Sequence, residues 1–191
     1  MITIAGSGGG GTVTDDLWVS FTAAYEGNST FSVANITYDG TNAPGQATHL
    51  AESGFNYGVI PFNHDAGHPD TIYLDYHTDK NWTGSLNLTL QGFSGSGSGN
   101  ALFYVETACP TAGGDITTIS DNASSTALVA APGSGTKDIT FTITGVAVSG
   151  NSTCAANRRM LITVTRDGTN ACDTFSGPMY LEGMVVETAH T

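Results

Sequence analysis

The sequence predicts an all-β protein, an antiparallel β-sandwich of jelly-roll type carrying a flexible glycine-rich N-terminal arm. Three observations carry this prediction. Apolar and polar residues alternate with a period of two in segment after segment, as in Leu86, Leu88 and Leu90 or Ile139, Phe141 and Ile143, which marks strands with one buried face. There are 25 glycines among 191 residues, and with abundant Ser, Thr and Asn they supply turns between short strands. Finally, no apolar spacing of three and four lasts for three helical turns, and residues 144–149 are expected to hold a single helical turn at most.

The elements follow in order. Residues 1–16 are assigned to the arm, because the run Gly8 to Gly11 cannot offset its own backbone entropy; a short leading strand is expected at Ile2 to Ile4. Residues 17–191 form one sandwich domain. Leu17, Val19 and Phe21 alternate in the first strand, and Phe31, Val33, Ile36 and Tyr38 in the second, where the register slips and a bulge is expected. Residues 39–54 read as a long polar loop. Residues 57–62 form a brief apolar run interrupted by Pro61, and 63–70 a polar loop. Ile72, Leu74 and Tyr76 mark the next strand, then Leu86 to Leu90, with Trp82 in the turn between them. In ALFYVETA the inward set is either Leu102 with Tyr104 or Phe103 with Val105. A short strand is expected at residues 126–130, then one at Ile139 to Ile143. Met160, Ile162 and Val164 share one side of the following strand, and Leu181, Met184 and Val186 suggest a bent last strand. About eight to ten strands result. An up-and-down barrel is the second architecture considered.

Charge narrows the partners. Five Lys and Arg stand against seventeen Asp and Glu, a net charge of −12. Five cations cannot build the basic face that phosphates or anionic lipids require, so neither nucleic acid nor membrane is an expected partner. The N-terminus shows no basic and apolar leader, so a cytoplasmic product is expected. Asn-x-Ser/Thr sequences at Asn28, Asn35, Asn81, Asn87, Asn122 and Asn151 therefore read as sheet-surface composition. Cys109, Cys154 and Cys172 are expected to be free thiols, with a Cys154–Cys172 disulfide as the alternative.

Few residues suggest chemistry. His64 and His68 with Asp65 or Asp70 offer nitrogen and oxygen donors, but Gly67 and Pro69 oppose a helix there, and a polar loop is expected in place of a metal site. No nucleophile, phosphate-loop or zinc-hydrolase motif occurs, so no catalytic residue and no cofactor is expected. Asp15 and Asp16 adjoin the arm, where a catalytic pair would not be held. Trp18 and Trp82, with Tyr25, Tyr38 and Tyr57, are candidates for a sugar-stacking surface. Arg158, Arg159 and Arg166 flank one strand, and Arg166, Asp167 and Asp173 suggest a guanidinium–carboxylate lock across the last hairpin.

The segment LITVTRDGTNACDTFSGPMYLEGMVVE resembles the C-terminal hairpin of small β-sandwich virion proteins of tailed bacteriophages. FNYGVIPFNHDAGHPDTIYLDYHTD and LFYVETACPTAGGDI resemble upstream parts of that family, and the likeness spans residues 52–187. It implies a non-enzymatic virion structural protein in which Arg166, Asp167, Asp173 and Thr174 form a recurring structural turn. The function expected on this basis is capsid decoration or cementing, in the virion, with the major capsid protein and further copies of itself, as a trimer, for partners. Ile4, Gly8, Gly9, Trp18 and Trp82 are the interface candidates. The alternative is a tail-fibre or carbohydrate-binding adhesion module with a glycan partner.

Overall fold

Among the residues that the computed structural model describes (13–21, 36–38, 48–52, 55–64, 67–78, 82–95, 97–109, 122–131, 137–147 and 156–190), eleven strands form and no helix does. In chain order they are β1 (Val13–Ser20), β2 (Ile36–Tyr38), β3 (Thr48–Glu52), β4 (Phe55–Phe62), β5 (Asp70–His77) and β6 (Trp82–Ser94). There follow β7 (Asn100–Ala108), β8 (Asn122–Ala130), β9 (Lys137–Ala147), β10 (Arg159–Arg166) and β11 (Met179–His190). They make two antiparallel sheets. The six-stranded sheet runs β3-β4-β11-β6-β9, with β1 also paired to β11, and the five-stranded sheet runs β2-β5-β10-β7-β8. From β4 to β11 the chain changes sheet at every connection except the β7–β8 hairpin. The fold is a jelly-roll-like β-sandwich, not a single closed barrel.

Burial follows the alternation. Leu86, Leu88 and Leu90 of β6, Met184 and Val186 of β11, and Ile139 of β9 face Ile72 and Leu74 of β5, Phe103 and Val105 of β7, and Met160, Ile162 and Val164 of β10. In β7 the inward pair is thus Phe103 and Val105. The Phe103 ring packs edge-on against Phe62 at 5.7 Å and tilted against Phe141 at 5.0 Å, tying the sheets together. Each such buried side chain contributes about 1.5–3 kcal/mol of apolar transfer.

Several elements depart from the sequence reading. Residues 39–54 contain a strand, β3, whose five residues pair with β4 from Thr48↔Val59 to Glu52↔Phe55. Residues 144–147 extend β9, because Val146 and Ala147 still pair with Leu86 and Ser85 across a register shift. Pro61 lies within β4, near its end, and Trp82 opens β6 opposite His190. β1 begins at Val13, inside the segment assigned to the arm, and pairs along its whole length with β11. The rest of the arm, the expected strand at Ile2 to Ile4, Ile4, Gly8, Gly9 and Tyr25 lie outside the described residues.

Cysteine pairing also differs. Cys109 is buried and disulfide-bonded, whereas Cys172 is an exposed free thiol. The Cys154–Cys172 bond is therefore not formed. Cys172 sits in the β10–β11 turn, where its backbone N–H donates to Asn170 Oδ1 at 3.0 Å.

Candidate functional site

Arg166 continues the inward column Met160, Ile162, Val164 and is fully buried at one end of the sandwich. A guanidinium there needs a partner for each donor. Nε donates to Asp173 Oδ2 and Nη2 to Asp173 Oδ1, both at 2.9 Å. Nη1 donates to the carbonyls of Phe62 at 2.9 Å and Gly177 at 2.6 Å, and Nη2 also to that of Phe175. All five donors are used. The Phe175 ring lies 5.5 Å from Cζ, and Asp173 Oδ2 accepts a further bond from Leu102 N at 3.1 Å.

The neighbouring turn is built by local side-chain caps. Asp167 Oδ1 accepts from Thr169 N and Oγ1 at 3.1 and 2.6 Å. Thr174 Oγ1 accepts from Asn100 N at 3.0 Å. Arg166, Asp167, Asp173 and Thr174 thus fasten the β10–β11 loop to the ends of β4 and β7. No substrate could reach a guanidinium so enclosed, and its chemistry is structural.

His64 Nε2 lies 4.0 Å from Asp173 Oδ1 and His68 is exposed. Asp70 is occupied as acceptor from Asn63 N at 2.6 Å. Among the described residues no group of three or more His, Cys, Asp and Glu is placed to hold a metal. Asp15 and Asp16 lie on β1 opposite Thr188 and Glu187.

The outer faces of the two sheets differ. On the five-stranded sheet, Thr163 and Thr165 lie opposite Tyr73 and Tyr104 and are only 6% and 1% exposed, so their hydroxyls are not displayed. Burial pushes the Tyr104 phenol above its ordinary range, against a hydrogen bond with Thr165 that lowers it.

The outer face of the six-stranded sheet is lined by half-buried and exposed side chains. Register places Pro61 of β4, Tyr180 of β11 and Phe93 of β6 side by side in one row, each half-buried, with Asp138 of β9 at its end. Directly opposed residues on adjacent strands stand about 5 Å apart, so this is a continuous aromatic and proline ledge. Gln91 and Thr140 form the next row, and then Trp18, Val185, Thr89 and Thr142 align across four strands. Thr89 and Thr142 share a hydroxyl hydrogen bond of 2.9 Å, and Thr140 and Thr142 are exposed. Asn87 and Glu187 follow. From Phe93 to Thr89 the face runs about 13 Å along the strand.

Of the residues singled out in the sequence, register brings Trp18 to this face. Asn87 was read only as sheet-surface composition, and Tyr180, Phe93, Thr89, Gln91 and Thr142 were not singled out. The signal for four of them was present, since the perfect alternation Leu86, Leu88, Leu90 puts Asn87, Thr89, Gln91 and Phe93 on the opposite side.

No protein-family model and no curated protein sequence matches the chain. Among solved structures, a carbohydrate-binding module specific for non-crystalline cellulose matches with 10% identity, covering 78% of this chain and 85% of its own, at a TM-score of 0.49. The family 11 carbohydrate-binding module of Clostridium thermocellum, solved with a β-1,3-1,4-mixed-linked tetrasaccharide, matches with 14% identity over 90% and 94%, at 0.44. The enzymatically active domain of tailspike protein 4 of bacteriophage CBA120 matches with 7% identity over 93% of this chain and 19% of that one, at 0.36.

Proposed function

We propose that the outer face of the six-stranded sheet binds carbohydrate and that the protein is a non-enzymatic adhesion or carbohydrate-binding module. The observation that carries this reading is the ledge Pro61–Tyr180–Phe93 opening onto Gln91, Thr140, Thr89, Thr142 and Asn87. A pyranose has an apolar C–H face that stacks on aromatic rings, and a rim of hydroxyls that both donate and accept. Amide and hydroxyl side chains on a rigid sheet match that rim without a charge. The paired variant Tyr180→Ala with Phe93→Ala lowers glycan affinity at least tenfold, about 1.4 kcal/mol, the scale of one or two lost stacking contacts. Thr126→Ala, on an exposed position of the other sheet, leaves it unchanged. The ligand comes from a glycan array and the affinities from calorimetry. A silent array, or equal affinity for the paired variant, sinks the reading.

A second reading is the capsid decoration protein that the phage resemblance implies. One observation favours it: Leu128 on β8 is 54% exposed, opposite half-buried Leu102, and a subunit contact would cover that patch. It predicts a trimer in sedimentation that Leu128→Asp dissociates to monomer. A native protein that sediments as a monomer counts against it.

A further inference from the structure

We infer that Cys109 is bonded to Cys154, and that this bond is a clasp on the edge strands β8 and β9 which the protein acquires in an oxidising environment. The clasp is independent of the carbohydrate-binding reading, and neither falls with the other. The sequence has three cysteines, Cys109, Cys154 and Cys172. Cys109 is disulfide-bonded and Cys172 is a free thiol. Within one chain the partner is therefore Cys154, which itself lies outside the described residues. The described neighbours agree with this pairing. Cys109 directly follows β7, whose last residue, Ala108, pairs with Leu161 of β10. Ala156, two residues after Cys154, packs against the core cluster that contains Cys109. Two residues of chain span at most about 7 Å, so residue 154 is tethered to the neighbourhood of that same core.

The bond closes a loop, residues 110–153, that contains both β8 and β9. β8 is an edge of the five-stranded sheet, held by β7, and β9 is an edge of the six-stranded sheet, held by β6. The two strands also lie against each other. A strand held by one ladder opens more readily than a central one. Joining the ends of the loop restricts the conformations open to β8 and β9 once they detach, so the opened state becomes less favourable. Forming the bond joins two sulfurs as two thiols give up two protons and two electrons. Oxidised glutathione takes these up through a mixed disulfide and leaves as two glutathione thiols. A reducing cytoplasm keeps such a pair as thiols, whereas oxidising surroundings preserve the bond. The cytoplasmic product expected from the sequence is then the weaker, reduced form, and the working form is the oxidised one.

The test refolds the full chain in a buffer of reduced and oxidised glutathione and maps its cysteines by mass spectrometry of non-reduced peptides. Cys109 is found joined to Cys154, and Cys172 as a thiol or its glutathione adduct. Reduction lowers the midpoint of thermal unfolding by on the order of 10 °C. It also speeds backbone amide exchange in β8 and β9 more than in β10 and β11. Cys154→Ser reproduces both effects without a reductant. Cys109 found as a thiol, or joined to Cys172 or to a second chain, overturns the pairing. Equal melting of the oxidised and reduced proteins, or exchange in β8 and β9 that reduction leaves unaltered, overturns the clasp. The peptide map needs only the native chain, so it decides the pairing even where Cys154→Ser does not fold.

Discussion

Asp173→Asn lowers the stability of the fold by about 3–5 kcal/mol, the loss typical of a buried ion pair deprived of one partner. The cause is local and complete. Arg166 is 0% exposed, and the Asp173 carboxylate pairs with its charge while filling two of its five donors. The amide keeps the shape, removes the charge and turns a donor toward a donor. For a domain of this size the midpoint of thermal unfolding falls by on the order of 10 °C. Arg166→Lys does not rescue, because a lysine has three donors and no planar fork to reach Asp173, Phe62 O, Gly177 O and Phe175 O together. Arg166→Met combined with Asp173→Leu costs less than the two single losses summed, since it leaves no unpaired charge inside. Chemical denaturation of these variants, and of Arg166→Met and Asp173→Leu singly, decides the matter. An Asp173→Asn protein within about 1 kcal/mol of the native one refutes the assignment.

Gly92→Ala costs about 3 kcal/mol or more, because it forces β6 away from β11. A Cβ on residue 92 would stand 2.0 Å from the carbonyl oxygen of Tyr180 and 2.8 Å from Cα of Leu181. Both obstacles are backbone, so no side-chain rotation relieves them. The position also borders the shift between Leu181 and Gly183, where the two strands are already out of step. Gly95→Ala is the control, since a Cβ there meets Pro178 at an ordinary 3.9 Å. A folded Gly92→Ala protein as stable as that control contradicts the packing described. The same substitution disturbs the ledge, because Gly92 lies between Gln91 and Phe93, so its binding loss is read only alongside its stability.

Both sheets were legible where one face is buried. Leu86, Leu88 and Leu90, or Met160, Ile162 and Val164, read as strands because burial of one face writes a period of two into the chain. β3 was not, since Thr48–Glu52 shows little alternation and is held by the partner strand β4. Residues 144–147 failed for a related reason: the shift near Leu86 and Leu88 breaks the period while pairing continues. Arg166 stood out because arginine is scarce here, but its carbonyl partners on β4 and the β10–β11 loop belong to tertiary structure. The ledge was invisible as a unit. Pro61, Tyr180 and Phe93 are far apart in sequence, and only the register of β4, β11 and β6 sets them in one row.

The central position of β11 has a consequence for how the chain acquires its structure. This strand lies between β6 on one side and β4 and β1 on the other, and Val13 pairs with His190. A ribosome must therefore release residues 179–190 before the larger sheet can close, while β5, β10, β7 and β8 can already associate. Pairing across nearly the whole chain carries a large loop-closure cost before any contact repays it, which places folding toward the slow end of the range for single domains. Until then β6 offers an unfilled edge where β11 will lie, a site for the wrong strand from another nascent chain.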